Sequence, residues 1–324
     1  MARKRTPTLS VAIPVYNETE SLPELYPRVC AVMDELGEPW ELIFIDDGSS
    51  DGSTEIILSL ATEDARVRPV IFARNFGHQV AITAGLDYSR GAAVVIMDAD
   101  LQDPPEVITD LVSKWREGYE VVYAVRTERE GETRFKTFMA ALFYRLINRI
   151  TDVSIPLDTG DFRLLDRKVV DTLNRMREHH RFPRGMAAWV GFRQIGVPYR
   201  RAARFAGETK YPFRKMLGLA LNAITGFSYF PLQLATYFGF VCAGVSVLAM
   251  LVALVLTLGG KQAVLDHAYT LIAVLFLGGV QLISLGILGE YIGRIYDEAR
   301  GRPLYIVRQA PDGDDIEKED SERN

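Results

Sequence analysis

The sequence has few of the residues that would indicate a disulfide-rich or zinc-binding protein. Its 324 residues include two cysteines and four histidines. Cys30 and Cys242 are far apart, and Cys242 falls in an apolar stretch, so neither a disulfide framework nor a zinc site is expected. A G-x-G-x-x-G pattern is also missing after the first predicted strand, which disfavours a dinucleotide cofactor.

Excess charge of one sign is missing as well, outside one short segment. The formal net charge is −5, and the tail 311–324 holds seven of the 42 acidic and two of the 37 basic residues, so the rest of the chain is balanced. We expect this tail to be disordered. The balanced remainder gives no reason to expect nucleic acid as a partner. The N-terminal apolar stretch is too short for a signal peptide, so a cytoplasmic start is expected.

Charged residues disappear altogether in two stretches near the C-terminus. Residues 216–260 contain none, and 268–289 form a second such stretch. One bilayer span needs about 20 apolar residues. We therefore predict an interfacial helix at 213–230 and, within 231–296, two transmembrane helices at about 232–258 and 268–292. The alternative is a pair of buried core helices, which the length of these stretches disfavours.

Basic residues lie outside both predicted spans: Arg214, Lys215, Arg294, Arg300 and Arg302. The positive-inside rule places such flanks in the cytoplasm. We therefore expect a protein of the inner (plasma) membrane with both termini in the cytoplasm. Its catalytic domain is predicted at 1–212, and its C-terminal segment at 297–324.

The chain before residue 216 alternates between short apolar runs and helix-length segments. The runs are LSVAIPVYN, WELIFIDDGS, RPVIFARN and AAVVIMDAD, and the helices are predicted at 21–36, 53–62, 78–89 and 105–117. Runs that are apolar on both faces, separated by helices, indicate an α/β fold with a mostly parallel sheet. Ligands bind at the carboxyl ends of such strands, where this sequence places its polar residues.

The stretch VVIMDADLQDPPE carries four carboxylates within nine positions, Asp98, Asp100, Asp103 and Glu106. Carboxylates two residues apart at a strand end, with Gln102 beside them, are suited to Mg²⁺ or Mn²⁺, and such a metal binds a diphosphate leaving group. For Asp103 and Glu106 we prefer a structural role, in which Asp103 caps the helix opened by two prolines and Glu106 lies in its first turn.

These motifs carry a family resemblance. VAIPVYNE, IDDGSSDGS, RNFGH and MDADLQDPPE, in this order, resemble a glycosyltransferase of family 2 with the GT-A (Rossmann-like) fold. DTGDFRLLDRK, RFAGETK and LGGVQLISLGILGEYIGRIYDEARGRPLY resemble the bacterial bactoprenol glucosyltransferases of O-antigen and teichoic acid glucosylation, which are related to dolichyl-phosphate mannose synthase. The resemblance covers nearly the whole chain except the acidic tail.

The resemblance implies roles for residues at matching positions. The metal site falls on Asp98, Asp100 and Gln102, Arg126 faces the acceptor phosphate, and Asp161 is the candidate catalytic base with Arg163 nearby. The implied contacts to the donor nucleotide sugar are Pro14, Tyr16, Glu18, Asp46, Asp47, Asp98, Ala99, Asp100, Arg204 and Lys210.

Several of these residues have alternative structural readings. The alternative for Asp47 is a place in a turn, for Tyr16 packing in the core, and for Arg204 and Lys210 a position as basic flanks of the membrane segment. Arg163 is as well explained by pairing with Asp161 as by contact with substrate. A polyprenyl monophosphate is mostly dianionic at neutral pH, because its second pKa is near ~6. Asp161 therefore either removes a residual proton or orients the phosphate through Arg163.

Membrane contact beyond the two spans is expected from a second segment. Residues 133–150 place apolar side chains at helical spacing among basic ones, which is typical of a helix lying on lipid headgroups, although a helix packed on the sheet fits equally well. Small residues in the spans permit close helix packing. The resemblance implies a homotetramer.

Three functions compete at this point. The favoured one is inverting transfer of one hexose from UDP-glucose to undecaprenyl (polyprenyl) phosphate, with GDP-mannose, UDP-GlcNAc, UDP-galactose and UDP-formamido-arabinose as alternative donors. A processive polysaccharide synthase is disfavoured because the Q-x-x-R-W motif is missing. A silent nucleotide-binding scaffold would not need the intact D-x-D, Asp161 and arginine set.

Overall fold

The computed structural model describes residues 7–127, 159–179, 181–201, 230–258 and 267–311. They belong to two compact units. One unit holds the described residues up to 201 together with 303–311. The other holds 230–258 and 267–302.

Four strands, each followed by a helix, form the centre of the first unit. They are β1 (Leu9–Val15), α1 (Leu22–Glu35), β2 (Trp40–Asp46), α2 (Ser53–Glu63), β3 (Val67–Phe72), α3 (His78–Tyr88), β4 (Ala93–Ile96) and α4 (Val107–Arg116). Every residue of these four strands is buried. That burial explains why apolar residues occupy both faces of the strands instead of alternating, as the sequence predicted. Buried polar side chains in these strands pair with one another, Ser10 and Arg68 both with Glu41.

The remaining elements of this unit extend the sheet on both sides. They are β5 (Val121–Arg126), β6 (Thr159–Asp166), α5 (Arg167–Arg175), α6 (Pro183–Trp189), β7 (Gln194–Tyr199) and β8 (Val307–Gln309). The strand order is β7-β5-β6-β4-β1-β2-β3-β8. The strand β1 runs parallel to β2 and β4, β2 runs parallel to β3, and β5 runs parallel to β7. The strands β6 and β8 run antiparallel to their neighbours. The predicted mostly parallel sheet is therefore confirmed.

The second unit consists of α7 (Phe230–Leu258) and α8 (His267–Ala299). Pro231 lies in the first turn of α7, where a missing backbone N–H costs least. Within the described residues, one segment, Phe276–Ala299, is long and apolar enough to cross a bilayer, with a mean hydropathy of 1.4. Both predicted spans are thus helical, and the two-span hairpin stays a prediction.

Several predicted features lie outside the described residues. These are the amphipathic helix at 133–150, the interfacial helix up to residue 229, the donor contacts Arg204 and Lys210, and the acidic tail beyond Pro311.

Candidate active site

The carboxyl ends of the parallel strands bring the predicted polar residues to one edge of the sheet. In the register, Val15 of β1 lies opposite Asp46 of β2, and Asp46 lies opposite Ile71 of β3. The segments that follow these strands therefore emerge side by side. This edge is where ligands bind in open α/β sheets.

Asp46 and Asp47 hold the loops of this edge in place. The Asp46 Oδ1 atom accepts the Ser49 backbone N–H at 2.9 Å. The Asp47 carboxylate accepts the backbone N–H groups of Phe76 at 2.6 Å and Gly77 at 3.0 Å. Burial raises the pKa of Asp47, although the two amides act in the opposite direction. Both carboxylates thus have structural partners, and their contact with the donor stays a prediction.

The turn after β2 requires a glycine at position 48. Its φ is +72°, and a Cβ built on it would lie 2.6 Å from the carbonyl carbon of Arg74. The loops after β2 and β3 therefore meet backbone to backbone, and any larger residue at position 48 would push them apart.

The other predicted donor contacts differ in exposure. Pro14 is buried inside β1, and Ala99 is 4% exposed. The Glu18 Oε2 atom accepts the Ser21 hydroxyl at 2.9 Å. Tyr16 is 42% exposed, so the core-packing alternative for Tyr16 is wrong.

The carboxylates that follow β4 lie close together, with Asp100 and Asp103 buried and the Asp98 side chain 25% exposed. Burial raises the pKa of Asp98 to about 6, and the charges of Asp103, Asp161 and Asp100 act in the same direction. The Nε2 atom of His78 lies 3.4 Å from Asp98 Oδ1 and opposes this shift. Burial acts to lower the pKa of His78, but Asp98 and Asp161 raise it to about 9, so His78 is a positive group beside these acids.

A divalent metal fits this cluster. Within the described chain, Asp98 Oδ1 is buried and lacks a hydrogen-bond partner, so a hard cation would satisfy it. Asp100 Oδ1 accepts the Gln102 backbone N–H at 3.2 Å, and Leu101 between them has a φ of +58°. Among these same residues, no three His, Cys, Asp or Glu side chains form a ready-made metal cage. The residues that would hold the metal are Asp98 and Asp100, with Gln102 beside them.

Asp161 is the most heavily engaged carboxylate of the site. Arg184 contacts both of its oxygens, Nε to Oδ1 at 2.7 Å and a terminal nitrogen to Oδ2 at 3.0 Å. His78 and Gln79 each approach Oδ2 at 3.3 Å. Burial alone would raise the pKa of Asp161, but Arg184 and His78 hold it well below its ordinary value. Such a carboxylate is a weak base, so the geometry favours positioning over proton removal.

Arg163 is not the arginine that contacts both carboxylate oxygens of Asp161. The Arg163 side chain is 5% exposed, and one terminal nitrogen donates to the Gly160 carbonyl at 2.9 Å. Burial lowers the pKa of Arg163 to about 10. Arg184 occupies the place at Asp161 that the sequence suggested for Arg163.

Asp103 is not a helix cap, which corrects the sequence-based expectation. The helix α4 begins at Val107, and Glu106 pairs with Arg28 at 2.9 Å. Asp103 is fully buried, and its Oδ1 atom accepts the Tyr199 hydroxyl. The two prolines permit the helical turn to form without the aspartate.

Asp103 contacts one arginine through Tyr199 and a second one directly. The Arg126 Nε atom donates to the Tyr199 hydroxyl at 3.4 Å, and Arg201 Nε lies 3.5 Å from Asp103 Oδ1. A Cβ on Gly160 would lie 2.7 Å from a terminal nitrogen of Arg126. Arg126 therefore lies against the backbone next to Asp161, beside the acidic cluster.

The comparisons with known proteins agree with this arrangement. The family model "Glycosyl transferase family 2" matches residues 10–173. An uncharacterized glycosyltransferase of Bacillus subtilis is 52% identical over 93% of each chain. A prophage-derived bactoprenol glucosyl transferase of Shigella flexneri is 43% identical over 94% of this chain and 99% of the relative.

A more distant likeness is found among solved structures. A glucosyl-3-phosphoglycerate synthase of Mycobacterium tuberculosis, crystallised with Mn²⁺ and UDP-glucose, is 21% identical over 68% of this chain and 78% of that one, with a TM-score of 0.45. That likeness is too distant to inform on ligands. The family model and the relatives settle the assignment: the chain belongs to glycosyltransferase family 2, in the group of the bactoprenol glucosyltransferases.

Proposed function

We propose that this chain transfers one glucose from UDP-glucose to undecaprenyl or another polyprenyl phosphate, with inversion at the anomeric carbon. Relatives that are 42–43% identical over nearly the whole chain carry the name bactoprenol glucosyl transferase. The observation that carries the proposal is the meeting of two opposite charges at one sheet edge. The half-buried Asp98 and the buried Asp100 suit a metal-bound diphosphate, and Arg126 beside them suits a phosphate.

The chemistry needs little help with protons. The acceptor phosphate is already dianionic and attacks the anomeric carbon through one of its oxygens. The bond from that carbon to the nucleoside diphosphate breaks on the opposite face, and the diphosphate leaves with the electron pair. A divalent metal, when bound, neutralises charge on that leaving diphosphate.

The protein's own task is to bring two anions together. Arg126 binds the acceptor phosphate, and its position is set by Tyr199 and by the backbone at Gly160. Asp161 fixes Arg184 and His78 next to Asp98 and Asp100, the carboxylates proposed for the donor diphosphate. Fixed charges of this kind lower the barrier because they do not reorganise during the reaction.

Membrane attachment follows from the acceptor and from the helices. Large apolar side chains on α7 and α8 are well exposed, among them Phe240 at 73% and Leu282 at 71%. Exposed apolar surface of this extent suits lipid. We include in the proposal two spans with both chain ends in the cytoplasm, interfacial contact through 133–150 and 213–230, and association into a homotetramer.

The test is transfer of radiolabelled sugar from a panel of nucleotide sugars to undecaprenyl phosphate, in detergent with Mg²⁺ or Mn²⁺, followed by organic extraction. The proposal expects label from UDP-glucose in the organic phase, released by mild acid as one monosaccharide. Label from another donor would revise the identity of the sugar but retain the proposed transfer to polyprenyl phosphate. Label in an insoluble polymer, or no transfer despite nucleotide binding, would overturn it.

A further inference from the structure

The C-terminal segment 303–309 contacts the rest of the first unit at two separate places. Its strand β8 pairs with β3, where Val307 lies opposite Phe72, and the Ala73 backbone N–H donates to the Ile306 carbonyl at 2.9 Å. The second place is α3, which Tyr305 reaches through its hydroxyl. The motif GRPLY contains this tyrosine, and neither the donor site nor the acceptor site accounts for it.

The first contact is an aromatic stack that leads to the active-site loop. The Tyr305 ring stacks on Phe72 at a centroid distance of 5.0 Å and an angle of 17°. Phe72 in turn meets Phe76 edge to face at 5.6 Å. Phe76 lies in the loop whose amides bind Asp47, so the stack connects Tyr305 to this loop.

The second contact fixes the far end of α3. The Tyr305 hydroxyl donates to Asp87 Oδ2 at 2.7 Å, and Arg177 pairs with the same carboxylate at 2.8 Å. The Asp87 side chain is 5% exposed, so this hydrogen bond is well shielded from water. Burial, together with the charge of Asp87, raises the pKa of Tyr305, which keeps its hydroxyl a donor.

Both contacts act on the element that carries His78. The helix α3 begins at His78, and Asp87 lies nine residues further along, about 13 Å away at the helical rise. A rigid helix transmits a displacement at one end to the other. His78 and Gln79, at its first turn, contact Asp161, and His78 also contacts Asp98.

We infer that Tyr305 is a positioning residue for the transfer reaction, because it holds the loop 74–77 and α3 so that His78 and Gln79 meet the catalytic carboxylates. The inference rests on the proposed function for its activity readout. It does not require Tyr305 to touch either substrate. It explains why a segment beyond the last long helix returns to the sheet.

The test compares Tyr305→Phe, which keeps the stack, with Tyr305→Leu, which loses both contacts, in the full-length protein. Sugar transfer should fall about tenfold in kcat for Tyr305→Leu, the effect expected when a hydrogen bond to a charged group and a stack are lost, with smaller loss for Tyr305→Phe. The KM for the acceptor should stay unchanged. Arg308→Gln, an exposed change in β8, should match the unaltered protein.

Hydrogen exchange gives a readout that does not depend on activity. In Tyr305→Leu, the amides of 74–88 should exchange faster, while those of α4 keep their rate. Faster exchange with an unchanged kcat, or an unchanged exchange rate, would overturn the inference. If the unaltered protein transfers no sugar, the proposed function fails instead, and unchanged exchange of 74–88 would then still refute the contact.

Discussion

Arg184 holds Asp161 by both carboxylate oxygens, at 2.7 and 3.0 Å, across 23 residues of sequence. A bidentate arginine is the strongest common partner of a carboxylate, and it leaves the acid a poor proton acceptor. We therefore expect the group that family resemblance suggests as a base to act as a fixed negative charge that orders its neighbours.

Asp161→Asn should lower sugar transfer by about tenfold to a thousandfold, because Arg184 and His78 lose the charge that orients them. The loss should be the same from pH 6 to pH 9, measured as kcat/KM for the acceptor. Recovery of activity at high pH would instead identify Asp161 as a base.

The coupling between Asp161 and Arg184 can be measured with a double-mutant cycle. Arg184→Gln alone should cost about as much activity as Asp161→Asn, and the double variant should lose little more than either single one. Additive losses would show that the two residues act independently. Arg175→Gln, in the last turn of α5, is the control for removal of a positive charge.

Asp100→Asn tests the metal assignment. The change keeps the shape of the side chain but removes its charge, so metal-dependent transfer should fall at least about a hundredfold. Thermal unfolding should remain cooperative. Asp110→Asn, on the exposed side of α4, should leave transfer intact. Undiminished turnover of Asp100→Asn in saturating Mg²⁺ would contradict the assignment.

Tyr199→Phe tests the network beneath Arg126. The change removes the hydroxyl that donates to the fully buried Asp103, whose pKa burial already raises. An unsatisfied buried acceptor of this kind costs about 1–3 kcal/mol. The melting temperature should therefore fall, and transfer should fall with it. Tyr119→Phe is the matched control, because the ring under Arg193 is kept; equal melting temperatures of the two variants would refute the network.

Asp51 should make the stability of the first unit dependent on acid pH. Burial acts to raise its pKa, but hydrogen bonds from Thr19 and Ser53 hold it at about 2 in the folded protein. The unfolded value is about 3.9, so this contribution to stability is complete above about pH 5 and is lost as pH falls through 4 towards 2. Thermal unfolding of Asp51→Asn should show a shallower loss over this interval. An unchanged slope would rule out the contribution.

Much of the fold was predictable because its signals are local. Four apolar runs before polar turns predicted β1 to β4. They also predicted the edge of the sheet at which Asp46, Asp98 and Asp100 lie. The strand β8 was not predictable, since three residues have no periodicity of their own and their pairing with β3 is made across more than 200 residues.

The carboxylates of the site were predictable from the sequence, whereas the residues that contact them were not. D-x-D and Asp161 stood out because their residue types and motifs carry meaning. The roles of Arg184, Tyr199 and Arg201 arise from contacts between distant elements, which no spacing in the sequence encodes. His78 was visible within RNFGH, and the pairing of its ring with two buried acids required the fold.

The place of β8 in the chain has a consequence for synthesis. During translation, β3 leaves the ribosome more than 200 residues before its partner strand, with both α7 and α8 in between. An unpaired edge strand invites pairing with other chains. The apolar helices must therefore emerge before this sheet can be completed, so the last step of its folding waits until both helices have left the ribosome.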